Sequence, residues 1–165
     1  MKPNKTTIFF LFIFLSFTIK SVASFVLLPM DSETQKNHLK AYGITYWALA
    51  KQYKVSWLLN YRGGSFLLPD SEVVRKECQI RGVTFEVFSD SKMNTILEEI
   101  SSPSQNMEIV VLEKAPKIAV YTPKGKQPWD DAVTMVLTYA EIPFKVVYDT
   151  EAKTTNLQLG LGLKF

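Results

Sequence analysis

The chain has 165 residues with 19 basic and 16 acidic side chains, one histidine and one cysteine. Three of the basic residues, Lys2, Lys5 and Lys20, fall in the first 23 positions, where there is no acid, so the remainder carries sixteen charges of each sign. A neutral body offers no bulk charge for nucleic acid or an anionic membrane. One cysteine excludes an intrachain disulfide, and one histidine beside a distant lone cysteine excludes a zinc site built on them.

Residues 1–23 open with lysines, continue through the apolar run Ile8–Leu15 to Ile19, and end on Ser21-Val22-Ala23-Ser24. This is the layout of a signal peptide with cleavage expected after Ala23. An uncleaved anchor would have to bury Lys20 at a cost of roughly 3 kcal/mol. The expectation is therefore a periplasmic or extracellular protein that meets the membrane only in transit. About 140 remaining residues suffice for one sizeable core or two small ones.

Phe25 to Pro29 reads as a buried strand, and Ser32-x-x-Gln35 as a capping box opening a helix. Leu39, Tyr42, Tyr46, Leu49 and Tyr53 recur at helical spacing and predict its buried aromatic face, with Gly43 allowing close approach to a sheet. Val55–Leu59 is almost continuously apolar, as a strand covered on both faces is. A turn at 61–65 and a short extended stretch, Phe66–Leu68, follow. Asp70 or Ser71 caps a second helix that ends near Gly82 and holds Cys78 one turn after Val74, where a half-buried hydrophobe fits. Val83–Phe88 is a strand, and Ser89-Asp90 starts a helix through Met93, Leu97 and Ile100 to the linker at 101–104. Met107–Leu112 and Lys117–Thr122 are strands. Pro128 opens a helix with Val133, Val136, Leu137 and Ala140 as its buried stripe, and Phe144–Tyr148 is the final strand.

Strand and helix in turn predict an α/β fold with a largely parallel sheet flanked by helices. The divisions expected are a signal peptide over 1–23, an α/β domain over 24–114, the first strand-helix-strand unit of a second, incomplete α/β domain over 115–149, and an irregular tail over 150–165. A single such unit is too small to be a domain.

The most suggestive segment is Asn60-Tyr61-Arg62-Gly63-Gly64-Ser65, which leaves the carboxyl end of a buried strand, where open α/β sheets place ligands. Gly63 and Gly64 permit backbone amides to approach an anion, and Arg62 can grip a carboxylate or phosphate with two N–H groups. Asn60, Arg62, Gly63, Gly64 and Ser65, with His38 nearby, form the candidate ligand-binding set. The plainer alternative is a turn between two short strands with Arg62 solvated. No nucleotide-binding loop, serine elbow or metal-ligand spacing is present, so catalytic residues stay unassigned and no metal or cofactor is expected.

The strings ETQKNHLKAYGITYW, WLLNYRGGSF and KIAVYTPKGKQPWDDAVTMVLTYAEIPFKVVYD resemble a family of secreted bacterial proteins labelled asparagine synthetase B, over about residues 25–149. The label implies glutamine-hydrolysing asparagine synthesis. It also implies an N-terminal cysteine nucleophile and an S-G-G-x-D-S loop, neither of which this sequence carries. The unit from Lys117 to Tyr148 is similar to the opening of a class I glutamine-amidotransferase-like domain. Two functions are therefore expected: an exported, non-catalytic protein binding a small anion or an envelope protein, or a truncated fragment of an amidotransferase-like protein. A third expectation is a degraded gene product without a stable fold.

Overall fold

The computed structural model describes residues 24–122 and 132–148. The signal-peptide reading, the start of the helix at Pro128 and the tail beyond Tyr148 lie outside them. The elements in chain order are β1 (Ser24–Leu28), α1 (His38–Ala50), β2 (Val55–Leu59), β3 (Ser65–Pro69), α2 (Glu72–Ile80), β4 (Glu86–Ser89), α3 (Asp90–Ile100), β5 (Glu108–Leu112), β6 (Ala119–Thr122), α4 (Ala132–Tyr139) and β7 (Lys145–Tyr148).

The largely parallel sheet expected from the sequence is not what forms. Five strands make one sheet in the order β4-β1-β3-β2-β5, and every neighbouring pair in it is antiparallel. The cause is local. Only residues 60–64 join β2 to β3, whereas a parallel return needs a dozen residues or more. β3 therefore turns back along β2, with Trp57 opposite Phe66 and Leu58 opposite Ser65. Its other edge receives β1, with Leu27 opposite Leu67. β1 and β2, joined by α1, run parallel to each other but are kept apart by β3. The first four strands with α1 and α2 thus follow the split β-α-β-β-α-β order, and α3 and β5 extend it. A small second sheet pairs β6 with β7 in parallel through α4.

Two apolar layers cover the main sheet. Val26, Leu28, Phe66, Leu68 and Val55 face α1 and α2, where Ala41, Ile44, Ala48, Val74 and Cys78 complete the core. Leu27, Leu58 and Leu67 face α3, which supplies Met93, Ile96 and Ile100. Strands buried on both faces explain why β1, β2 and β3 read as continuous apolar runs rather than as alternating ones.

Three local expectations change. α1 starts at His38, not near Ser32, with the Asn37 side chain accepting from the Lys40 amide. The Gln35 amide is instead buried between Pro29 and Thr84, donating to both carbonyls and accepting from the Thr84 and Asn37 amides. The buried face of α1 is Ala41, Ile44, Thr45 and Ala48, while Leu39 and Tyr42 are exposed. Small side chains let the helix lie flat on the sheet, and the larger aromatics sit at its rim. Gly43 makes its close approach to α4, not to a sheet: a Cβ there would stand 1.8 Å from the Ala140 carbonyl oxygen. On α4 itself Val133 and Val136 are exposed and Thr134 is the buried position, while Ala140, one residue past the helix, is buried as expected.

Candidate functional site

The 60–64 connection is a tight hairpin. The Gly64 and Ser65 amides both donate to the Tyr61 carbonyl at 3.0 Å. Asn60, Arg62, Gly63 and Gly64 all take positive φ, of 60°, 46°, 79° and 89°. Gly63 is required sterically as well, since a Cβ there would lie 2.4 Å from the Met30 carbonyl oxygen. The Met30 amide donates to the Arg62 carbonyl at 3.0 Å, which ties the hairpin to the segment leaving β1.

His38 meets the same segment. Its Nε2 lies 3.2 Å from the Met30 carbonyl oxygen. A carbonyl only accepts, so Nε2 carries the proton. The structure therefore gathers His38, Arg62 and Gly63 around Met30. It does not gather the rest. The Asn60 amide turns the other way and donates to the Asn106 carbonyl at 2.7 Å. The Gly64 carbonyl accepts from the Trp57 indole at 3.0 Å. Ser65 is fully buried, with its hydroxyl 3.0 Å from the Tyr61 carbonyl and 3.2 Å from that of Arg62.

Arg62 is half-buried, and its guanidinium is engaged within the chain. Nε donates to Asp31 at 3.1 Å, Nη1 to Glu86 at 2.9 Å and Nη2 to the Thr34 hydroxyl at 3.1 Å. Nη2 also lies 2.8 Å from the second Glu86 oxygen, so one carboxylate spans both terminal nitrogens. The Glu86 hydrogen bond is the main reason the guanidinium pKa is raised. Asp31 is held below the usual carboxylate range, first by Thr34 and further by Arg62. One cation between two carboxylates leaves the cluster net negative, and an incoming anion would have to displace them.

Sequence reasoning missed the partners of Arg62. Asp31 and Glu86 are 31 and 24 residues away along the chain, and their proximity follows from β4 and the β2–β3 hairpin flanking β1. Glu86 gave no signal of its own: in Val83–Phe88 it falls with Thr84 on the polar phase of an alternating strand, and it stands opposite Leu27.

Cys78 is buried beneath α1, and burial with Glu77 beside it pushes the thiol up to about 12. It is a core side chain. Among the described residues no group of histidine, cysteine and acidic side chains has metal-binding geometry, and no helix is long and apolar enough to cross a membrane. Compared with known proteins, the chain matches no protein-family profile, and no curated protein and no solved structure is significantly similar to it.

Proposed function

We propose that the chain is an exported, non-catalytic binding protein whose partner is another protein of the cell envelope. The observation that carries the choice of a protein over a small anion is the Arg62 cluster. Its cation is engaged by Asp31, Glu86 and Thr34, so the loop that first suggested an anion site reads as a structural hairpin. Apolar side chains meanwhile stand in solvent on α4 and β7, among them Met135 at 62% exposure, with Val136 and Tyr148. Clusters of exposed apolar residues mark protein contacts more often than isolated ones do. Export rests on the lysine-flanked apolar run of residues 1–23.

The test is cross-linking in the producing cell, with a photoreactive residue at position 135 and a control at Lys76. Adducts at 135 alone, in the envelope fraction, are expected. No adduct at 135, together with heat released on titrating inorganic phosphate and lost in Arg62→Ala, would overturn the reading in favour of the anion.

A second reading keeps the chain as a fragment of an amidotransferase-like protein. It is favoured by the parallel pairing of β6 with β7 through α4, the connection such a domain opens with. Sequencing the gene beyond codon 149 in all three frames separates the two. Continued strand-helix alternation in another frame supports the fragment.

A further inference from the structure

β5 is the open edge of the five-stranded sheet: it pairs with β2 on one side and with no described strand on the other. Natural edge strands are blunted by proline, inward charges or bulges, because a row of unpaired N–H and C=O groups recruits another strand. The interior of β5, Ile109-Val110-Val111-Leu112, has none of these. Val111 is 66% exposed. The opposite edge, β4, is a residue shorter and bears Glu86 of the charge cluster.

We infer that β5 is a self-association edge, and that its occupant is β5 of a second copy of this chain, paired antiparallel across a two-fold axis. The argument for a second copy is charge complementarity. A two-fold axis through Val111 sets each residue opposite the one an equal distance beyond the centre. Val111 then meets its own counterpart, Val110 meets Leu112, Ile109 meets Glu113, and Glu108 meets Lys114, on both sides of the axis. The apolar pairs fall in the middle, an Ile109–Glu113 pair flanks them on either side, and two opposite-charge pairs close the ends. Centring one residue earlier, on Val110, would set Glu108 against Leu112 and leave the charges unmatched. Lys114 lies two residues past the strand, within reach on its four-carbon stem. Exposed ion pairs add little affinity, and here they select register, as cross-strand charge pairs do. The dimer would carry one continuous sheet, with α1 and α2 of both copies on one face and α3 of both on the other. This inference does not rest on the proposed function.

The protein, recovered from the producing cell, is measured by sedimentation equilibrium. A concentration-dependent dimer is expected. Glu108→Lys places a like charge against Lys114 and is expected to raise the dissociation constant at least about tenfold, a shift of roughly 1.4 kcal/mol. The charge-swapped Glu108→Lys/Lys114→Glu double variant is expected to restore it, which a fold damaged by the first substitution would not do. Val111→Cys is expected to form a disulfide-linked dimer under oxidising conditions, whereas Val73→Cys, exposed on α2, is not. Cys78 is buried and does not compete. A monomer up to about 100 μM, or a dimer indifferent to Glu108→Lys and uncrosslinked by Val111→Cys, would overturn the inference.

Discussion

Arg62 combines a backbone angle that L-residues resist, φ 46°, with a guanidinium held by two carboxylates and a hydroxyl. The strain, of order 1–2 kcal/mol, persists because the hairpin needs the turn and the side chain gains partners there. Replacing Arg62 by alanine keeps the strain and removes the partners, leaving Asp31 and Glu86 facing each other. We expect the melting temperature to fall by roughly 3–6 °C, with secondary structure unchanged at 20 °C, as read by circular dichroism. Gly63→Ala should be worse, because its Cβ would overlap the Met30 carbonyl as well as resist φ 79°. If Gly63→Ala melts within about 1 °C of wild type, the hairpin is not fixed as described. Cys78 makes a third expectation at this scale. With the thiol pushed up to about 12 and fully buried, it should stay silent to a thiol-disulfide reagent in the native state and react on unfolding. Rapid native labelling would mean that α2 opens locally. Legibility at this scale was uneven. The sequence placed the glycine pair in a turn and Cys78 at a half-buried apolar position, which the structure buries completely, since both follow from nearest neighbours. It could not reveal that Arg62 has internal partners, because that depends on which strands flank β1.

At the scale of elements, strand and helix positions followed well from local pattern, and faces less well. β2, β3, α2 and α3 lie within a few residues of their predicted bounds, and Ser71 and Ser89 cap the two helices through their hydroxyls. Periodicity was only partly right on α1: Leu49 is buried as expected, but Ala41, Gly43, Ile44, Thr45 and Ala48 complete the buried face in place of Leu39 and Tyr42. Size, not hydropathy, decides there, since the sheet lies close beneath. α4 departs from its expected stripe for another reason: it docks by its end rather than by its side. The Ala140 backbone rests on Gly43, Lys40 and Arg81 both pair with Glu141, and Lys40 lies 5.0 Å from the centre of the Tyr139 ring. Glu141 is held below its usual value of 4.5, first by its hydrogen bond from Lys40 and then by the charge of Arg81. A carboxylate with a lowered folded pKa stabilises the fold above its unfolded value, and that stability is lost as pH falls through the folded one. Asp31 has the same sign. Resistance to denaturant should therefore be level from pH 7 to about 5 and decline below about 4.5. Glu141→Gln should flatten that decline, in urea titrations taken at successive pH values. An identical decline in the variant would show that the α4 corner is not fastened by this carboxylate.

Across the molecule, the long-range wiring is what the sequence concealed. Alternation of strands and helices fits parallel and split antiparallel orders equally well, and only the five-residue β2–β3 connection decides between them. That brevity was visible, and its force was overridden by the alternation around it. The same wiring grades the stability of the parts. The five-stranded sheet has apolar layers on both faces, whereas the contacts of β6, β7 and α4 with it include the α1 contact at Gly43 and Lys40, the Arg81–Glu141 ion pair and the Tyr46 hydroxyl on the Pro116 carbonyl. Local opening follows such differences in buried apolar contact. Hydrogen exchange should accordingly be faster by about two orders of magnitude in 119–122 and 145–148 than in β1 and β3. Equal protection in both sheets would mean that they unfold as one unit.

β1 begins at Ser24 and lies between β3 and β4, inside the sheet rather than at its edge. The Ser24 carbonyl accepts from the Asp70 amide at 3.0 Å, its hydroxyl donates to the Asp70 carboxylate at 2.7 Å, and Ser89 stands opposite it. A processing enzyme that cuts between Ala23 and Ser24 needs that stretch extended and unpaired in its own cleft. On the export reading, peptide cleavage and completion of the sheet would compete for the same few residues. A chain whose β1 had already paired with β3 and β4 would then offer Ser24 to the enzyme only by opening the sheet.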